Sequence, residues 1–154
     1  MMQTVAKAAF KVIGIAVETT NKNMQAVQDI GALWQRFSAE DIFNKIPGKL
    51  SQEIYEVFTN YTGRYTDPYL TIIGCMVEAS AVAPDGMVAK NIPAQTYHIY
   101  LAEGKMPEAV GATWGQIWQN DAQLNRAYVA DFDVYGPQAH DPNHPVVEIF
   151  LGVQ

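Results

Sequence analysis

The sequence predicts an α+β fold in which a strand–helix–strand–strand unit occurs twice, with antiparallel sheets, pseudo-two-fold symmetry and a groove where the halves meet. Three observations predict it. The segment IGALWQRF, from Ile30 to Phe37, is echoed by VGATWGQI, from Val110 to Ile117. Each copy has one strand-like run before it and two after it. Each half holds only about 75 residues, a size at which one core alone is marginal. Two related halves can instead cover each other's open faces and edges.

The elements follow in order. Lys11–Glu18 (KVIGIAVE) reads as the first strand. Apolar residues at Ala26, Ile30, Leu33, Trp34 and Phe37 then have the spacing of an amphipathic helix. A polar, proline-containing stretch from Ser38 to Gln52 leads to two runs, Ile54–Tyr61 and Tyr69–Glu78, split by the turn-rich TGRYTDP. The break between halves falls in Val82 to Gly86 (VAPDG), so a single domain of residues 1–154 divides into a module of about 1–82 and a module of about 87–154. The second module begins with Ala94–Leu101. Its helix opens at Pro107 and Glu108, a proline tolerated in the first turn and a carboxylate suited to the positive end of the dipole. Tyr128–Tyr135 and Val146–Val153 complete it, split by GPQAHDPNHP. Aligned at an offset of 77, the closing strands set Ile72 against Ile149 and Thr71 against Glu148.

Composition excludes several functions. The chain has 154 residues, 49% of them apolar, which suffices for a core and a lined pocket. A net charge of −6 repels phosphate backbones, so no direct nucleic-acid partner is expected. Cys75 stands alone, so no intramolecular disulfide forms. Lys7 and Lys11 interrupt the apolar N-terminus, and no run suffices to span a bilayer. A cytoplasmic location with no membrane partner is expected. The chain carries no Walker loop, dinucleotide fingerprint or zinc spacing, so neither cofactor nor metal is expected. His140 and His144 flank Asp141, but their loop is broken by prolines. Cys75 reads as a small core hydrophobe, and nothing near His98 marks a serine nucleophile.

The residue with the clearest chemical content is Glu148, in the apolar run VVEIFLGV. A buried, unpaired carboxylate costs several kcal/mol. It therefore points to solvent on a half-exposed strand, pairs with an internal cation, or faces a cavity that admits a cation. Phe150 shares its face of the strand. Trp34 and Trp114 occupy equivalent helical positions and read either as core or as walls of the groove. Tyr69 and Tyr97 are two of eight tyrosines. Rings around a carboxylate attract cations by about 0.5–2 kcal/mol each.

The segments KVIGIAVETT, LWQRF, IYEVFTNY, PYLTIIGCMV, NIPAQTYHIYLAEG, TWGQIWQ, ADFDVYGP and PVVEIFLGV, in this order and spacing, resemble the GyrI-like effector-binding domains, the multidrug-sensing modules of AraC-type and other bacterial transcription regulators. The resemblance covers nearly the whole chain. It implies a tandem βαββ fold with a ligand cleft between the modules. It also implies that Glu148, in VEIFLGV, is the acidic residue at the base of that cleft, although Gly152 stands where the family usually has proline. Tyr69, Tyr97, Trp34 and Trp114 match its aromatic positions. With no DNA-binding segment in the sequence, the chain is similar to the free-standing members, including those carried on mobile gene cassettes. The function so implied is binding of small cationic, amphipathic or aromatic compounds, with a homodimer or a regulatory protein partner left open. The family also contains hydrolases of reactive cyclopropane-type compounds and a protein inhibitor of gyrase. Both remain alternatives, the first weakened because the counterpart of Glu148 is Thr71.

Overall fold

The computed structural model describes residues 3–154. Eight strands form one antiparallel sheet: β1 (Gln3–Lys7), β2 (Phe10–Thr19), β3 (Ile54–Thr59), β4 (Tyr69–Val77), β5 (Val88–Ile92), β6 (Gln95–Glu103), β7 (Ala130–Tyr135) and β8 (Val146–Val153). Their order across the sheet is β1-β6-β8-β7-β3-β4-β2-β5. Among the described residues three α-helices lie between them: α1 (Gln25–Ala39), the short α2 (Ile42–Lys45) and α3 (Glu108–Gln119). The repeated unit is present as expected, β2-α1-β3-β4 and β6-α3-β7-β8. Each copy gains an edge strand that alternation did not reveal. β1 pairs with β6, the first strand of the other copy, and β5 pairs with β2. Strand exchange at both edges knits the halves together and covers edges each would otherwise expose.

The halves join through β3 and β7. Glu56 lies directly opposite Asp133, with Ile54 opposite Tyr135 and Phe58 opposite Asp131. This register puts the pseudo-two-fold axis through the Glu56–Asp133 pair. The symmetry is 77 residues along β3 and β7 but 76 along β4 and β8. Tyr55 pairs with Gly74 as Phe132 pairs with Phe150.

The two sheet faces differ. One is covered by the helices. α1 and α2 pack Leu33, Phe37, Ile42 and Ile46 on Ile13, Ile15, Ile73 and Cys75 of β2 and β4. α3 packs Val110, Trp114 and Ile117 near Ala102, Val147, Ile149 and Leu151 of β6 and β8. The other face closes on itself. Phe10 of β2 reaches Phe132 of β7 at 5.3 Å, although two strands lie between them, so the sheet curls strongly. Gly14 and Gly74, paired across β2 and β4, allow that curvature: a Cβ at either would meet the opposite strand's carbonyl at about 2 Å. Among the described residues, no helix is long and apolar enough to cross a membrane.

Candidate functional site

Each helix sits over the outer strands of its own half. The central strands β3 and β7 are therefore left without a helix above them, and a cavity of about 710 Å³ opens there between α1 and α3. That is within the usual range for a small-molecule site. Its walls are aromatic: Trp34 from α1, Trp114 and Trp118 from α3, and Phe58, Tyr61, Tyr69 and Tyr135 from the strands and the loop between them. At the mouth, Tyr65 and Trp118 stack with ring planes 7° apart and centroids 5.8 Å apart.

The floor carries two carboxylates. Glu56 and Asp133 face the cavity from adjacent strands, 4% and 0% exposed. Trp34 donates its indole N–H to Glu56 Oε2 at 3.0 Å. Trp114 donates to Asp133 Oδ1 at the same distance. The repeated tryptophans are therefore symmetry mates that each orient one acid. The Tyr135 hydroxyl donates to Glu56 Oε1 at 3.4 Å, whereas Asp133 Oδ2 has no hydrogen-bond partner. Among the described residues, neither acid forms a salt bridge with a cation of the chain. Burial pushes both carboxyls upward. For Glu56, hydrogen bonds to the carboxylate partly oppose the rise. Asp133 goes well above the ordinary range, because burial is reinforced by the adjacent Glu56 charge. Two acids so placed do not both ionise readily without a positive guest. Glu56 accepts from two neutral donors and Asp133 from one, so a proton retained by the pair is better placed on Asp133, beside Glu56.

A third buried acid behaves differently. Asp131 Oδ2 holds Arg126 Nη2 at 2.7 Å, and its Oδ1 accepts the Gly152 N–H at 2.6 Å. The Tyr61 hydroxyl donates to the same carboxylate. Burial raises the Asp131 carboxyl, while Arg126 and these donors work against the rise. The Arg126 guanidinium also lies 4.3 Å from the Tyr128 ring centroid and within 6 Å of those of Tyr61 and Trp114. The cavity thus has one end occupied by the chain's own cation and a centre whose carboxylates have none.

The expected site residues divide by sheet face. Trp34, Trp114 and Tyr69 line the cavity. Glu148, Tyr97 and Phe150 do not. Tyr97 and Phe150 are buried on the opposite face beside Phe132. Glu148 is exposed there, opposite Val134 and in a shallow depression beside Glu53. In β8 it is Val147, Ile149 and Leu151 that turn towards the helices. The aligned offset was one residue too long for this strand, so Val147, not Glu148, is the counterpart of Thr71, and one residue of register reverses every side chain. The missed acids carried a signal: IYEVF at 54–58 and DFDVY at 131–135 align without a gap at 77 residues, setting Glu56 against Asp133. His140 lies at the cavity rim, while His144 pairs with Glu103 at 3.0 Å. Among the described residues, no group of three or more side chains is arranged to hold a metal.

A family model described as integron-associated effector binding protein matches residues 4–153. The chain belongs to this family. It is 24% identical over 144 residues to the YobU protein of Bacillus subtilis (strain 168), covering 92% of this chain and 90% of that one. An integron cassette protein from the mobile metagenome of Vibrio cholerae superposes with a TM-score of 0.74 at 27% identity, over 99% of this chain and 95% of the other. SAV2435, solved bound to tetraphenylphosphonium, superposes with a TM-score of 0.80 at 18% identity, over 100% and 94% of the two chains. These likenesses agree with the effector-binding, cassette-type resemblance read from the sequence and with its tandem βαββ fold.

Proposed function

We propose that this effector-binding protein takes aromatic or amphipathic cations into the cavity between α1 and α3, with Glu56 as counter-charge and Asp133 beside it. The observation that carries the reading is the buried acid pair, held by neutral donors on the floor of an aromatic cavity. A buried anion with no partner is costly, and a cationic guest removes that cost while the rings supply area and cation–π attraction. Trp34, Trp114 and Tyr69 are the proposed walls. That a neighbour of the same fold was solved with a lipophilic cation supports the same ligand class. Arg126 closes one end, so a guest's positive centre lies nearer the acids than the guanidinium.

The test compares tetraphenylphosphonium with tetraphenylborate, ions of one shape and opposite charge, by titration calorimetry and tryptophan quenching. Binding of the phosphonium alone is expected, weakened at least about tenfold, or 1.4 kcal/mol, by Glu56→Gln. Equal binding of both ions would overturn the role of the acids. An ionised Glu56 beside a protonated Asp133 also supplies a base and an acid, which favours the hydrolase of cyclopropane-type electrophiles as the second reading. Its check is product formation that stops in Glu56→Gln.

A further inference from the structure

The two acids on the floor are not equivalent. Glu56 accepts hydrogen bonds on both oxygens, from Trp34 and Tyr135. Asp133, which also lines the cavity, accepts one, from Trp114, and its other oxygen is buried and unpartnered. A bare buried carboxylate oxygen is costly, whereas a carboxyl O–H at that place carries no charge. On this bonding the acid pair, without a guest, is one carboxylate and one carboxyl with an exchangeable proton.

We propose that the cavity matches its charge to its guest: it takes an aromatic monocation with the proton of Asp133 in place, and an aromatic dication by releasing that proton, which makes Asp133 the residue that extends the ligand class to dications. This rests on the cation-binding reading above. The step breaks only the O–H bond of the Asp133 carboxyl. The proton leaves to the solvent buffer, and the electron pair stays on Oδ2 as the second counter-charge.

The surrounding groups permit this exchange. From β7, Asp131 is engaged by Arg126, which reaches in from the segment before that strand. From α1, Trp34 is a neutral donor, and Asp29 is tied to Thr19 and Gln25. From α3, Trp114 is neutral and Glu108 lies at the mouth. Tyr69 of β4 and Tyr135 of β7 are held up by burial first, then by the nearby acids, and stay protonated. Tyr61 and Tyr128 are hydrogen-bonded to Asp131 and Asp121. Among the described residues, Tyr65 and His140 are the remaining titratable groups of the lining, and His140→Gln is measured in parallel as the control for the imidazole.

The experiment uses a matched pair of guests on the full chain: a diaryl viologen, with two pyridinium charges, and the monocation in which one of its ring nitrogens is replaced by carbon. Calorimetry in buffers of different ionisation enthalpy gives the protons released. About one is expected for the dication at neutral pH and about none for the monocation, with dication affinity rising about tenfold per pH unit by linkage. Infrared difference spectra should show the carbonyl band of a protonated carboxyl lost on dication binding. In Asp133→Asn both the proton release and that band change should vanish, while circular dichroism reports the fold. Equal proton counts for both bound guests, or a release that survives in Asp133→Asn, would overturn the proposal and leave the cation-binding reading standing. If neither guest binds the wild type, and tetraphenylphosphonium does not either, both readings fall together.

Discussion

The two halves of the molecule place the same parts around one axis and then use their basic residue differently. Trp34–Glu56 in the first half matches Trp114–Asp133 in the second. Lys49 in the first, bridged to Val77, corresponds to Arg126, bridged to Val153. Lys49 turns outward from the cavity and caps the carbonyls of Phe43 and Ile46, both at 3.0 Å. Arg126 turns inward, because Asp131 waits there to receive it. The first half has Ile54 at the symmetry-related position, so an arginine turned inward there would find no partner. Duplication supplied a symmetric acid pair. One divergence, isoleucine against aspartate, made the cavity lopsided: among the described residues a cation of the chain pairs with the acid at one end and none pairs with the two acids at the centre.

The widest gap between the halves should appear in stability. Arg126→Met strands Asp131 in the interior, which costs about 3–5 kcal/mol. Lys49→Met removes two hydrogen bonds at a partly exposed site and costs about 1–2 kcal/mol. Denaturant unfolding of both variants measures the difference. Similar losses would break the comparison, and Arg126→Met with Asp131→Ile should recover much of the first loss by restoring the pattern of the first half.

Ligand affinity should separate the halves next. If Glu56 is the counter-charge, as proposed, Glu56→Gln should weaken tetraphenylphosphonium by at least about tenfold, a larger loss than Asp133→Asn causes with the same guest. Calorimetry on the two variants at one pH checks the order. The reverse order would exchange the roles of anion and acid.

Asp133 should then show itself in the pH dependence of stability. Its folded pKa is raised, first by burial and then by Glu56. The folded state therefore holds a proton that the unfolded chain has given up. Stability is fully present below the ordinary carboxylate range and declines as pH rises through the raised value. Asp133→Asn removes that decline. Its melting temperature should change less than the wild type's between mildly acidic and alkaline pH. Parallel curves would place the proton elsewhere.

The sequence made the architecture readable because helices and long strands repeat their chemistry. The stripe around Trp34 and Trp114, the six principal strands and the antiparallel, duplicated plan all follow from periodicity. The edge strands β1 and β5 did not, since Gln3–Lys7 and Val88–Ile92 are short and largely exposed, with little alternation to detect. The aromatic walls were half legible. Trp34, Trp114 and Tyr69 carried their positions, whereas Tyr97 and Phe150 are equally apolar residues of the other face, and hydrophobicity cannot tell two buried faces apart. The acids were hidden for a related reason. Glu56 and Asp133 sit in strands with large apolar neighbours on both sides, as Glu148 does, and only the alignment of β3 with β7 distinguishes them.

The smallest expected effect bears most directly on that ambiguity. Glu148 opposes Val134 across β7 and β8 and lies with it on the face away from the helices, while Asp133, one residue earlier, looks into the cavity. A charge change at 148 therefore acts on the ligand only through the curled sheet, and its own carboxylate is exposed to water, which screens it. Glu148→Gln should leave tetraphenylphosphonium affinity within about twofold and stability within about 0.5 kcal/mol. The contrast with Glu56→Gln, measured side by side, decides which face of the sheet carries the counter-charge. A tenfold loss at 148 would require β8 to be shifted by one residue. The same shift would bring Phe150 to the helix side and turn Ile149 and Leu151 away from it, an exchange that tryptophan fluorescence of Trp114, packed beside those residues, would report independently.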